Sequence, residues 1–377
     1  MKSRHSPRRR QLLGTVAASI VIPALAPHKG FANQEVRSMS TSSNYLPVRA
    51  GWLASNTEAA IDPDLSIVDA HHHFYERPGW TYMLDQYLED ARSGHNVVAS
   101  VYMQALTRYR KDGPEFIRPV GEIDYVATVT APLQKAKPKV ANGMVGYADL
   151  RRGADAREVL EAEIKAGDGR FRGVRHLATW DADTTLANPL TAAPRGLLLD
   201  PSYRRGVAQL APLGLSYDAW VFFTQLPELL DLAKAFPDTP IIINHCGGVL
   251  RIASYEGRRK EVFETWSRSM RELSQLPNVY VKVGGLGMRI NGFDFEKGER
   301  PPSSVDLAQA WKPWMESCIE MFGANRCMFE SNFPVDKGSY PYSNGWNAFK
   351  RLTASASPAE REALFRGTAN KVYRLGL

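Results

Sequence analysis

Cysteine is scarce in this 377-residue chain: Cys246, Cys318 and Cys327 are the only three, and none belongs to a Cys-x-x-Cys pair. An odd, widely spaced set excludes a disulfide framework and a structural zinc module, leaving buried free thiols as the expectation. An apolar run long enough to span a bilayer is also missing. The longest candidate, residues 12 to 26, is about 15 residues long and contains Pro23, against the roughly 20 residues a span needs. A Gly-x-Gly-x-x-Gly fingerprint, a Walker loop and a Gly-x-Ser-x-Gly elbow are all absent, and Gly284-Gly285-Leu286-Gly287 has the wrong spacing to cradle a pyrophosphate. Internal repeats and low-complexity tracts are lacking after residue 45.

A surplus of positive charge is there, but it is local. The formal net charge is +7, yet residues 1 to 32 hold Lys2, Arg4, Arg8, Arg9, Arg10 and Lys29 and no acid, which leaves 41 basic against 40 acidic residues in the rest. Nucleic-acid binding is therefore not expected. Twin arginine followed by Gln11-Leu12-Leu13 and a short apolar stretch resembles a Tat export signal, with small residues for cleavage in Gly30-Phe31-Ala32. The expectation is a leader over 1–32, the Tat export machinery as a partner, and a folded enzyme working in the periplasm.

With 44% hydrophobic and 23% charged side chains the remainder reads as an ordinary globular protein. Residues 33–64, rich in Ser, Asn, Thr and Pro, read as an extended arm. From Ile67 onward, short β-branched runs alternate with amphipathic stretches. The runs are 67–71, 97–103, 143–147, 173–176, 215–221, 241–245, 279–283 and 327–330. Helical patterns fall at 156–166, 226–236, 261–275, 307–322 and 358–373, among others. Eight strands with interleaved helices over 65–377 predict an α/β fold of the (β/α)8 TIM-barrel type, with a doubly wound sheet as the alternative.

Six histidines follow the leader, and three are consecutive at the end of the first run: His71, His72 and His73. Strand side chains alternate, so His71 and His73 share a face at the end of a barrel strand, where catalytic groups gather. Two imidazoles there can hold a divalent cation or hydrogen-bond to a substrate carbonyl. His245 closes another aliphatic strand and is followed by Cys246-Gly247-Gly248, while His176 closes Gly173-Val174-Arg175. Asp218 places a carboxylate in an apolar strand, either as an active-site group or as a buried partner of Arg175. Glu330 and Asn332 lie two residues apart after the last run. Trp180 and Tyr109 follow strands and could line a substrate pocket, and the polar segment 285–304 could form a lid over it.

His71-x-His73, Arg172-Gly173-Val174-Arg175-His176, the Asp218 strand, His245 and Phe329-Glu330-Ser331-Asn332-Phe333-Pro334 together resemble the amidohydrolase-related family. Within it the chain is most similar to the branch that holds 2-pyrone-4,6-dicarboxylate lactonase and sugar lactone hydrolases. The resemblance implies a distorted (β/α)8 barrel that hydrolyses a small carbonyl compound, a lactone or ester first, by water attack at its mouth. A decarboxylase or hydratase, a lactone isomerase and a nonenzymatic binder are the alternatives. His71, His73 and His245 match family positions. Two positions depart from the family: Asp218 stands where metal-binding members carry a histidine, and Asn332 where they carry an aspartate base. The resemblance therefore implies either no cofactor or a single loosely bound divalent metal such as zinc, on His71, His73 and His245. An amide cannot take a proton from water, so Glu330 becomes the candidate base, with Asp336 as the other. Arg175, His176, Asp218, Trp180 and Tyr109 are the candidate substrate contacts.

Overall fold

The β-branched runs form eight parallel strands in the computed structural model, which describes residues 45–77, 79–188, 191 and 193–377. The expected leader and residues 33–44 of the arm lie outside the described residues. The strands are β1 (Ser66–His72), β2 (Asn96–Met103), β3 (Lys139–Gly146), β4 (Phe171–Val174), β5 (Ser216–Ala219), β6 (Ile241–Ile243), β7 (Val279–Val283) and β8 (Cys327–Phe329). They lie side by side in sequence order. The ring closes just past β8, where the Asn332 amide donates to His71 O at 2.9 Å and the His73 amide donates to Phe333 O at 2.8 Å. A helix follows each strand, so every connection is a βα unit. This is the (β/α)8 barrel, not the doubly wound alternative.

Helices Ala156–Ala166 and Leu226–Ala235 occupy their expected places. The expected helix over 358–373 is instead two short α-helical pieces joined by a π-helical turn at Ala363–Gly367. β3 begins four residues before its expected start. Ala141, at φ 51°, breaks the regular alternation there, and the β2–β3 register shifts beside it.

The described part of the arm is a clamp. Residues Ala50–Ala54 form a short helix, and Trp52 Nε1 and Asn56 Nδ2 donate to Gly298 O (2.9 Å) and Pro301 O (2.8 Å) of the segment after β7. Beyond it, Asn344, Asn347 and Lys350, at three-residue spacing on helix Tyr342–Leu352, bind the arm backbone. Asn344 Oδ1 accepts from Glu58 N at 3.0 Å, Asn347 Oδ1 accepts from Ile61 N at 2.8 Å, and Lys350 Nζ donates to Ile61 O at 2.6 Å. An amide carries both donor and acceptor, so each asparagine can hold an extended backbone much as a neighbouring strand would.

Candidate active site

The polar residues of the barrel mouth fall into two layers. His71, Asp218, Lys282 and Glu330 form the deeper layer and are 0% exposed. His73, Trp220 and Asn332, each two residues further along its own segment, line the cavity above. The cavity opens to solvent, and its enclosed part measures only about 60 Å³. Its polar wall comes from His73, Gln104, Arg175, Thr179, His245 and Asn332, and its apolar wall includes Trp220, Phe222, Met288 and Ile290. Arg175 is the one charged side chain among the described lining residues.

His73 Nδ1 lies 2.9 Å from Met103 O. A carbonyl only accepts, so the ring proton is on Nδ1 and Nε2 is bare. His71 Nε2 lies 3.1 Å from that bare nitrogen and accepts from Arg175 Nη1, also at 3.1 Å. Two bare imidazole nitrogens facing each other are an electron-rich pair, and the guanidinium supplies positive charge at its edge. On the far side of His71, Nδ1 is 2.9 Å from Glu330 Oε2 and 3.4 Å from Lys282 Nζ. Burial holds His71 and His73 well below the usual imidazole range, and neighbouring cations reinforce it: Lys282 for His71 and Arg175 for His73. Both rings are therefore neutral near pH 7.

Glu330 does not line the cavity. Its Oε1 accepts from the His245 amide at 3.1 Å and faces His245 Nδ1 at 2.7 Å. With the Nδ1 proton directed at the carboxyl, Nε2 of His245 is left bare on a ring that does line the cavity. His245 and Cys246 both have positive φ (54° and 51°), and a side chain added at Gly285 would collide with the His245 ring, so glycine there leaves room for the imidazole. Burial pushes the Glu330 carboxyl up to about 8, against the opposing pull of Lys282 and the His245 amide.

A divalent ion has a fitting set of donors here. One atom each of His71, His245 and Glu330 lie within 4.8 Å of one another, and among the described residues the only side chain facing Glu330 Oε2 is the His71 ring of the same set. Two imidazoles and a carboxylate oxygen are a common ligand chemistry for zinc. The donors that the geometry groups are two histidines and Glu330, while His73 of the expected trio lies one layer above, its Nε2 3.1 Å from His71 Nε2.

Four expected substrate contacts lie elsewhere. Asp218 is beneath the site, and its partner is Lys282 rather than Arg175: Nζ lies 2.8 Å from Asp218 Oδ1, which also accepts from Tyr373 OH at 2.8 Å. His176 is packed behind the wall between Tyr147 and Tyr203, with Nδ1 accepting from the Leu150 amide at 3.4 Å. β4 ends at Val174, so alternation no longer governs where residue 176 points. Trp180 lies under Arg195, its ring centre 5.5 Å from the guanidinium carbon, and Trp220 takes the pocket position instead. Tyr109 turns its hydroxyl inward after two left-handed residues, Leu106 and Arg108, and that hydroxyl is buried near Glu122 and Glu163. Asp336, the other candidate base, is buried under Gly287, Tyr340 and Asn332. The expected lid contributes Met288 and Ile290 to the wall.

Sequence reasoning missed Lys282, Gln104 and Trp220. A lysine inside Val279-Tyr280-Val281-Lys282-Val283 was a usable sign, since an ammonium in a buried strand requires a carboxylate partner. Trp220 lies two residues beyond Asp218, on the same face.

Comparison with known proteins places this geometry. An uncharacterised protein of Sinorhizobium fredii, y4mH, is 32% identical over 336 residues, covering 88% of this chain and 94% of that protein. An L-fucono-1,5-lactonase of Burkholderia multivorans is 29% identical over 233 residues, 62% of this chain and 71% of the lactonase. The fold matches a crystal structure of a B. multivorans amidohydrolase with bound HEPES at 25% identity and a TM-score of 0.62, covering 82% of this chain and 99% of that one. That amidohydrolase has also been solved with bound zinc, and this second structure matches at 24% identity and a TM-score of 0.64. The amidohydrolase family model matches residues 68–375, nearly the whole barrel, and the chain belongs to that family of enzymes.

Proposed function

We propose that this enzyme hydrolyses a small cyclic ester by water attack at the barrel mouth. The observation that carries the reading is the Glu330–His245 pair, which presents a bare imidazole nitrogen to a cavity whose one charged lining group is Arg175. The L-fucono-1,5-lactonase relative supports a lactone as the ester. In this reading His245 Nε2 takes a proton from water as the oxygen adds to the carbonyl carbon, and Glu330 holds the resulting imidazolium in place. Arg175 stabilises the oxyanion, the contribution that commonly dominates such reactions. When the ring C–O bond breaks, His245 returns its proton to the departing alkoxide, so the product is the open hydroxy acid. A divalent ion on His71, His245 and Glu330 would supply Lewis-acid polarisation of the carbonyl when bound.

A panel of five- and six-membered lactones tests the reading, with acid release followed by indicator and carbon dioxide release followed in parallel. Acid without carbon dioxide is expected, and loss of carbon dioxide from aromatic carboxylates in place of lactone opening would favour the decarboxylase alternative. We also propose that residues 1–32 direct Tat export to the periplasm, since the twin arginines and the short apolar run have that pattern.

A further inference from the structure

Tyr45 belongs to the arm, ahead of the residues 68–375 that the family model matches, yet its half-buried ring lines the cavity. Three neighbours brace it there. The Trp80 indole lies 5.5 Å away between ring centres, and Tyr75 lies edge-on at 6.4 Å and 75°, separations at which aromatic pairs attract. Both come from a hairpin that follows β1, Tyr75–Arg77 paired with Trp80–Tyr82. Arg77 completes the set: its guanidinium carbon is 4.1 Å from the centre of the Tyr75 ring and 5.6 Å from that of Tyr45, while Nη2 donates to Ala105 O at 2.9 Å. The next arm residue is also fixed. Any side chain at Gly338 would collide with Leu46, so glycine there lets the arm pass close to the segment after β8. Tyr75 in turn stacks on His73, ring centres 5.2 Å apart and planes 19° from parallel, so a single aromatic ring separates the arm from the imidazoles of the mouth.

We propose that Tyr45 is a specificity-determining residue: the arm supplies its ring as a wall of the substrate cavity, and the ring limits how large a substituent the substrate can carry. The inference rests on the lactone reading for its substrates. The enclosed part of the cavity is about 60 Å³, room for only a few waters, so a ring added to or removed from its wall changes what fits. Bracing by Trp80, Tyr75 and Arg77 holds that ring in place before a ligand arrives, and a preformed wall discriminates by shape without an ordering cost.

The test compares δ-valerolactone with δ-decalactone, the same ring carrying a pentyl chain, in the wild type, Tyr45→Ala and Tyr45→Trp, with thermal melts on all three. Tyr45→Ala should shift the ratio of kcat/KM values toward the pentyl lactone by about 10-fold or more, the scale on which an apolar pocket discriminates by size. Tyr45→Trp should shift it the other way, and it decides the matter alone if Tyr45→Ala melts below the assay temperature. A ratio that neither variant moves, or equal losses on both lactones, overturns the proposal. Diethyl pyrocarbonate separates this inference from the lactone reading, because it acylates a bare imidazole nitrogen whatever the substrate is. With the modified residues located by peptide mass, His73 and His245 should react faster than in the wild type when Tyr45 is alanine and slower when it is tryptophan, and His95, away from the cavity, should keep its rate. An enzyme that opens neither lactone sinks the lactone reading and leaves the wall to this measurement. Equal acylation rates of His73 and His245 in all three proteins overturn the wall.

Discussion

Asp69 and Glu330 are both wholly buried carboxyls at the seam where the barrel closes, and they are provided for differently. Asp69 accepts from five donors: the amides of His71 (3.3 Å) and Ser331 (2.9 Å), and the hydroxyls of Ser331 (2.7 Å), Tyr87 (3.3 Å) and Tyr342 (3.1 Å). Glu330 has fewer partners, and its side-chain partners are imidazoles: Oε1 accepts from the His245 amide and faces its ring Nδ1, and among the described residues Oε2 faces only His71 Nδ1, at 2.9 Å. Burial raises both, Asp69 to about 6 and Glu330 to about 8, and the better-satisfied group is raised less. The same chemical group serves as a fastener when fixed amides and hydroxyls hold it, and stays available for chemistry when its ring partners can themselves exchange protons.

The sharpest way to break this comparison is to exchange the fates of the two carboxyls. Glu330→Gln should lower turnover by about 100-fold to 10,000-fold, the scale of a lost acid–base function, while the protein still melts cooperatively. Asp69→Ala should do the opposite. Unpairing five buried donors is expected to cost roughly 3–5 kcal/mol of stability, read from urea unfolding, and the fraction that remains folded should keep its turnover. If Asp69→Ala is stable but inactive, the division of labour argued here is wrong.

Acid should expose a third kind of buried group. His72, His95 and His176 lie away from the cavity, and burial lowers them to about 3, 4 and 4. Each stays neutral in the fold but takes up a proton near pH 6.5 once unfolded. Their stabilisation is therefore complete above about pH 6.5 and lost as pH falls, by roughly 3 kcal/mol for each histidine near pH 4. Melting temperature measured from pH 7 down to pH 4 should fall steeply below about 6.5, and a flat profile would refute these buried neutral rings.

Two smaller effects sharpen the picture. Zinc titrated calorimetrically into dialysed enzyme should bind at one equivalent, and more weakly to Glu330→Gln by about 10-fold to 100-fold, the usual penalty for disturbing a metal site. Equal affinity would remove Glu330 from the donor set. Replacing Arg9 and Arg10 with Lys should leave the enzyme intact but in the cytoplasm, and undiminished periplasmic activity would reject the Tat reading.

The barrel was legible because parallel strands buried on both faces are short β-branched runs, and eight of them in order admit little else. The layering of His71 below His73 followed from alternation, whereas Glu330 and Asn332 lie past the end of β8 at Phe329, and Asn332 is left-handed and held by its amide bond to His71 O. Legibility ended where regular backbone ended. His176, Trp180 and Tyr109 all lie beyond the last residue of their strands, in loops whose turns no periodicity foretells. Partnership across the barrel was illegible for another reason. Asp218 and Lys282 lie on β5 and β7, two strands apart, and which cation reaches a buried acid depends on the inward tilt of both strands. Helix Tyr342–Leu352 places Asn344 and Asn347 on one face, and their partners in the arm are hundreds of residues away in the chain, where no local pattern points to them.

That clamp has a kinetic consequence. The arm and helix Tyr342–Leu352 are joined by hydrogen bonds between residues 286 to 289 positions apart, and the barrel closes between β1 and the segment after β8. Contacts of such high order form late, because the loop entropy must be overcome before they reward the chain. During synthesis the first strand, with His71 and His73 on it, waits for nearly the whole remaining chain to leave the ribosome before its last neighbour arrives. An enzyme whose mouth is assembled from both ends of the polypeptide gains its activity in one concluding step, and chains truncated by a few dozen C-terminal residues should accumulate as inactive, protease-sensitive intermediates.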